Sequence, residues 1–398
     1  MALPVTDVTS DRVSPGLATL GRALLEDVEG ITDRLVEAIL AEDPSYTASG
    51  RPTPEDLRRS CHDNLQRILE KLADQRDPAA GDPFEAPRST GHRRAEQGVP
   101  LESVLHAYRL GHRTIWEELV MHARGAGGAT LEVLVDAASG VWELVDTYSS
   151  EVARSYRETE LQIARHNDRR RDALIDALLD GRGAERAVAA DAATALDLPE
   201  HGRLCVVVVA GTEHARRAAD ALAVRGLRSA WRTRADREVG LVGLGRAGTG
   251  DVVAALSVLG VARAGVSPAV DGLADVDVAH RLAATALHAQ TQGVAELDAV
   301  LPGALLVTAP DLAARLIERS LAPVLALTGA ERDLLLETLA AWLDCGGSAG
   351  QTARRLFCHR NTVLNRLRRV EVLTGRSLER VDHLVEWRLA LLARELLG

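Results

Sequence analysis

The chain has 398 residues, 46% of them hydrophobic and 26% charged, the composition of a folded protein of two to four domains with real cores. Its formal net charge of −10 by itself argues against nucleic acid. Cys61, Cys205, Cys345 and Cys358 form no CxxC pair, which argues against a zinc site or a disulfide framework, and no metal or cofactor is expected. No run of about 18 apolar residues is present, and Met1 to Ser10 lacks a basic start followed by an apolar core. The expectation is a cytoplasmic chain with no membrane span and no signal peptide.

With aromatics at 3%, the cores must be built from Leu, Val and Ala, a bias toward helix. Leu17, Leu20, Leu24, Val28, Ile31, Leu35 and Ile39 recur at spacings of three and four and predict one amphipathic helix, stopped at Asp43-Pro44. Thr53-Pro54-Glu55-Asp56 restarts a helix with an N-cap, a proline in the first turn and two acids. Pro78 to Pro87 reads as a loop. The next helix, from Pro100, carries Leu101, Leu105, Tyr108, His112, Ile115 and Leu119 on one stripe and breaks at Gly125 to Gly128. His112 on that stripe suggests a haem ligand, but a core histidine is the commoner outcome of such a position.

From Thr130 to Leu179 there is no proline and one glycine, Gly140, so a helix of about 50 residues is expected. Its Arg169-Arg170-Arg171 run reads as a solvated face, with a second DNA contact as the less favoured alternative. After Gly181 the pattern changes. Leu204 to Val209 is a continuous apolar run, the mark of a buried strand. Further strands are expected at Glu238 to Gly245, Ala262 to Ser267 and Ala304 to Thr308. Helices are expected around His214 to Val224, Asp251 to Leu259 and Val276 to Gln290. This alternation predicts an α/β or α+β sandwich, one sheet with helices on it.

The last block is helical again. Ser348 caps a short helix ending near Leu356, Phe357-Cys358-His359 makes a turn, and a second helix runs from Asn361 to Thr374 with Gly375 at its end. Val363, Leu367 and Val370 share one face and pack inward, with Ala353, Leu356 and Cys358 completing a small core. Between Ser348 and Arg380 stand eight arginines against Glu371 and Glu379. That basic island on an acidic chain is a localised electrostatic footprint. The candidate DNA-binding set is His359, Arg360, Asn361, Thr362, Asn365, Arg366, Arg368 and Arg369. Arginine reads guanine and asparagine reads adenine by paired hydrogen bonds in the major groove, while threonine and further arginines hold phosphates. One such motif covers a half-site, so a homodimer or higher assembly is expected.

The strings Thr352 to Val363, Arg366 to Glu371 and Leu373-Thr374-Gly375 resemble the C-terminal DNA-binding domain of the PucR/CdaR family of bacterial regulators, with a helix pair similar to the Fis type. Arg93 to Glu102 with Ala107-Tyr108-Arg109 resembles the RsbRD-type helical domain of such regulators. Val266-Ser267-Pro268 with Gly272-Leu273 resembles their degenerate GGDEF-like middle domain. The resemblance implies a multidomain, mainly α protein. Residues 1–150 are expected to form a helical sensor bundle, 151–180 a connecting helix, 181–325 an α/β GGDEF-like domain and 326–398 the helix-turn-helix domain. It implies a transcription regulator of double-stranded DNA that answers an unidentified small-molecule or protein effector.

Rival classes are a protein-interaction module, a cofactor-binding sensor and, least favoured, a diguanylate cyclase. A cyclase needs a Gly-Gly hairpin with acids and a strand-end carboxylate to hold two cations. The candidate hairpin, Trp231 to Gly245, turns at Arg-Ala-Asp-Arg-Glu-Val-Gly, and the first strand carries no aspartate. Asp236 and Glu238 are expected to be ordinary surface charges, and the chain is expected not to be an enzyme.

Overall fold

The computed structural model describes residues 15–47, 52–74, 82, 84–126 and 128–398. Met1 to Ser10 and half of the expected loop from Pro78 to Pro87 lie outside them. The chain divides into two compact units, Met1–Asp168 and Arg169–Gly398. The architecture is multidomain and mainly α, with one sheet in the second unit. No single helix among the described residues is long and apolar enough to cross a membrane.

The first unit is a helical bundle of α1 (Pro15–Glu26), α2 (Val28–Glu42), α3 (Pro54–Leu72), α4 (Glu85–Glu96), α5 (Leu101–Ala126) and the part of α6 (Gly128–Leu179) that runs to Asp168. The single helix expected over Leu17 to Ile39 is two. Asp27 leaves the helical region at φ −115°, ψ 24° and heads α2. Both halves keep their leucines on the core side, so periodicity cannot detect a one-residue break. Thr53 caps α3 as expected, its hydroxyl accepting the Asp56 N–H. The loop expected to reach Pro87 ends earlier, since Pro87 lies in the first turn of α4. Leu134, Val141, Leu144, Tyr148, Val152 and Tyr156 place one stripe of α6 in the core. The close approach of α4 to α6 requires Gly91, whose Cβ would lie 2.5 Å from the Val152 carbonyl oxygen.

Residues 160–171 of α6 are exposed on every face, Arg169, Arg170 and Arg171 among them. Within the second unit the last turns of α6 become amphipathic again, with Ile175 and Leu178 buried. There Asp172 and Asp176 pair with Arg232, and Asp176 also with Arg234.

The second unit contains α7 (Arg186–Leu196), β1 (Arg203–Ala210), α8 (Ala215–Ala223), β2 (Arg228–Arg234), β3 (Arg237–Gly243), α9 (Thr249–Val258), β4 (Arg263–Val266), β5 (Val270–Asp271), α10 (Val276–His288) and β6 (Gly293–Glu296). The sheet order is β2-β3-β1-β4-β6, with β5 also on β1. All pairs are antiparallel except β4 with β6. Leu204, Val206 and Val208 face α6, α7 and α10. Cys205, Val207 and Val209 face α8 and α9. Helices thus cover both faces, which is why β1 has no polar alternation.

The strand expected at Ala304 to Thr308 is instead helix α11 (Leu301–Thr308). Pro302 is set in its first turn, and Gly303 packs against Leu396. A five-residue apolar run fits a buried strand or a buried helix equally well. The chain ends with α12 (Pro310–Leu325), α13 (Gly329–Asp344), α14 (Ala349–Arg355), α15 (Arg360–Thr374) and α16 (Val381–Leu397).

Candidate nucleic-acid interface

Local sequence sets the geometry of α14 and α15. The Ser348 hydroxyl accepts the Gln351 N–H and starts α14. That helix closes with two backbone bonds, Cys358 N–H to Ala353 O at 3.0 Å and Phe357 N–H to Arg354 O at 3.4 Å. They form a Schellman ending, whose left-handed position is usually glycine. Here Phe357 occupies it at φ 50°. His359 then caps α15, its Nδ1 accepting the Asn361 N–H at 3.2 Å. Gly375 ends α15 at φ 66°, its N–H bonding Glu371 O.

Packing sorts the faces of α15. Val363, Leu367 and Val370 are at most 1% exposed and join Ala353, Leu321, Val324, Leu339 and Trp387 in one core. Cys358 packs at its edge. Leu356, expected in that core, is only half-buried and lies outside the cluster. Opposite the core, at a spacing of four and three, stand the exposed Asn361, Asn365 and Arg368. Arg360 is exposed at the first helical position, His359 is exposed just before it, and Thr362 is half-buried.

The arginines of the basic island fall into two groups. Arg369 pairs with Glu331 of α13 at 3.5 Å, and Arg366 is half-buried with Nη1 3.4 Å from the Thr338 hydroxyl. Arg355 pairs with Asp344, Arg376 with Glu386 and Arg380 with Asp382. Among the described residues no carboxylate pairs with Arg354, Arg360 or Arg368, all exposed. The available cations thus border the turn and the outer face of α15. Sequence reasoning counted Arg354 in the island but left it out of the DNA-binding set. Its position at the end of α14, just before the turn, was the available signal. The N-terminus of α15 adds the positive end of a helix dipole, a ready place for a phosphate.

The rival hairpin of the sheet is formed by β2 and β3, turning at Ala235-Asp236. Glu238, expected on the surface, is 2% exposed, and its Oε2 accepts the His214 N–H at 2.8 Å at the start of α8. A carboxylate there satisfies an orphan donor and the helix dipole. Among the described residues no group of three or more His, Cys, Asp or Glu is arranged to hold a metal.

Three family models match the chain. The RsbT co-antagonist protein rsbRD N-terminal domain covers residues 29–171, the GGDEF-like domain residues 180–289, and the PucR C-terminal helix-turn-helix domain residues 335–393. The chain is 40% identical over 68 residues to the purine catabolism regulatory protein of Bacillus subtilis, a stretch covering 17% of this chain and 13% of that protein. It is 56% identical over 43 residues to an uncharacterized protein of Mycobacterium tuberculosis, covering 11% and 10%. These matches span little more than a tenth of either relative's length. Among solved structures, a regulator of polyketide synthase expression from Bifidobacterium adolescentis is 19% identical with a TM-score of 0.29, over 56% of this chain and 97% of that one.

Proposed function

The chain belongs to the PucR/CdaR family of regulators, and from that membership we propose that it controls transcription by reading the major groove of double-stranded DNA with α15. The observation that carries the reading is the outer face of that helix. Asn361, Asn365 and Arg368 share it, exposed and away from the buried stripe, and among the described residues no carboxylate pairs with Arg368. Arg360, Arg354 and the α15 N-terminus stand beside it as phosphate contacts. Phosphate contacts set the register and base-edge contacts set the sequence. Arg366 and Arg369, held by Thr338 and Glu331, orient α15 on α13 in this reading and do not read bases.

The middle domain is read as non-catalytic. Its hairpin lacks a Gly-Gly turn, and Glu238 is committed to the α8 N-terminus. The protein is read as signal-responsive, with the helical unit of residues 15–168 as the sensor.

The test is a fluorescence-anisotropy titration of the full chain on an operator taken from its own genome-wide binding map. Asn361→Ala, Asn365→Ala and Arg368→Ala are each expected to cost about 1–3 kcal/mol on the operator and to relax preference at one base position. Arg360→Ala is expected to weaken binding to all sequences alike and to lower the salt slope by about 1. Arg369→Ala is expected to leave base preference unchanged. Unaltered operator affinity in all three outer-face variants overturns the reading.

A further inference from the structure

The helical unit of residues 15–168 contains a cavity that DNA reading does not use. About 50 Å3 of space lies between α2, α3, α4 and α5. Most of its wall is apolar, with Leu35, Ile39 and Val104 on it. The polar part of the wall is largely self-satisfied. The Tyr108 hydroxyl donates to Asn64 Oδ1 at 2.8 Å, and Asn64 Nδ2 donates to the Thr90 hydroxyl at 2.9 Å.

Two groups are not matched. Arg94 is 1% exposed. Its guanidinium donates to Gln97 Oε1 at 2.6 Å, the Ser60 hydroxyl at 3.1 Å and the Asp56 carbonyl oxygen at 3.4 Å, all neutral acceptors. No carboxylate among the described residues forms an ion pair with it. A buried guanidinium with hydrogen bonds but no counter-charge is strongly unfavourable. The second is His112 Nε2, buried without a hydrogen-bond partner on a ring 6% exposed. Burial pushes the His112 pKa down to about 4, so the ring is neutral near pH 7 and can present one N–H.

A single positive charge and a second donor on an otherwise apolar wall specify an anion with an apolar remainder. The space is that of a few waters, which limits the guest to roughly four to six heavy atoms. A tetrapyrrole does not fit, so His112 is not a haem ligand in this conformation. We propose that the cavity binds a short-chain aliphatic monocarboxylate, its carboxylate held by Arg94 and His112 and its alkyl end by the apolar wall. Charge-assisted hydrogen bonds to a carboxylate are the strong ones, and the ligand supplies the charge that Arg94 lacks.

The inference does not depend on the DNA-binding reading, and its test uses the full chain without DNA. Calorimetric titration compares acetate, propionate and butyrate with propionamide, octanoate and chloride at matched ionic strength. One of the short acids is expected to bind at least about tenfold more tightly than propionamide, chloride or octanoate. Arg94→Gln is expected to weaken that acid by about tenfold or more, with helix content unchanged by circular dichroism. No binding of any short acid at millimolar concentration overturns the proposal. So does equal binding of propionamide, octanoate or chloride, and so does a folded Arg94→Gln chain of undiminished affinity. Should Arg94→Gln fail to fold, the comparison of acid with amide on the unaltered chain decides the matter alone.

Discussion

Phe357 is 97% exposed and held at φ 50° in the turn before α15. A side chain there strains the backbone by about 1–2 kcal/mol and, at that exposure, buries almost nothing in return. Phe357→Gly relieves the strain, although glycine also loosens the unfolded chain. The net expectation is a gain of about 1 kcal/mol in the second unit, read as a higher midpoint in urea. A lower midpoint would count against the strain argument.

His112 supplies a pH dependence. Its folded pKa of about 4 lies below the ordinary 6.5 because burial disfavours the cation. Below pH 6.5 the unfolded chain therefore takes up a proton that the folded ring refuses. Stability from this group is fully present above pH 6.5 and declines as pH falls toward 4, by up to roughly 3 kcal/mol. His112→Phe is expected to flatten that part of the profile for the unfolding of the first unit. An unchanged slope between pH 7 and 4.5 would show that the ring is not buried as a neutral base.

At the scale of elements, α15 is tied to the rest by its buried stripe. Leu367 is 1% exposed, and Leu367→Ala is expected to cost about 2–5 kcal/mol. Because the loss is in folding, operator binding should return on cooling or in stabilising osmolyte, whereas loss from Asn361→Ala should not. The sequence made this element legible because its face and stop are local: three apolar positions and a glycine. The run from Ala304 to Thr308 was not legible for the opposite reason. It is short and apolar throughout, and only its packing beside α10 and α16 makes it a helix. The limits of β2 were hidden too. It is a sheet edge carrying Arg228, Arg232 and Arg234, with Ala230 its one fully buried position, and edge strands are commonly charged.

For the whole molecule, two expectations concern what must be kept together. Ser320 O accepts the Trp387 indole N–H at 3.3 Å, and Leu321 and Val324 lie in the same core as Val363 and Leu367. A fragment beginning at residue 326 removes that wall. We expect residues 301–398 to fold and bind operator, and residues 326–398 to show no cooperative unfolding; cooperative melting of the shorter piece would contradict this. The second expectation is assembly. Residues 160–171 of α6 present Leu161 at 55% and Ile163 at 37% exposure on a stretch with no buried face. A second copy covering that stretch would also bring a second α15 to a two-fold operator. Light scattering is expected to give at least twice the chain mass of 42.6 kDa; a monomer both with and without DNA excludes it.

By itself the sequence determined what depends on neighbours along the chain: the Thr53 and Ser348 caps, the stop at Gly375, the long α6 and the buried run of β1. It also carried the basic island between Ser348 and Arg380. Only the tertiary structure decided which of those arginines are available. Glu331, Thr338 and Asp344 on α13, with Glu386 on α16, come from elsewhere in the chain to engage Arg369, Arg366, Arg355 and Arg376. It likewise put Glu238 under α8 and left Arg94 beside a cavity without a counter-charge. A charge is cancelled or left available by what lies within a few ångströms of it in space, and linear spacing does not encode that distance.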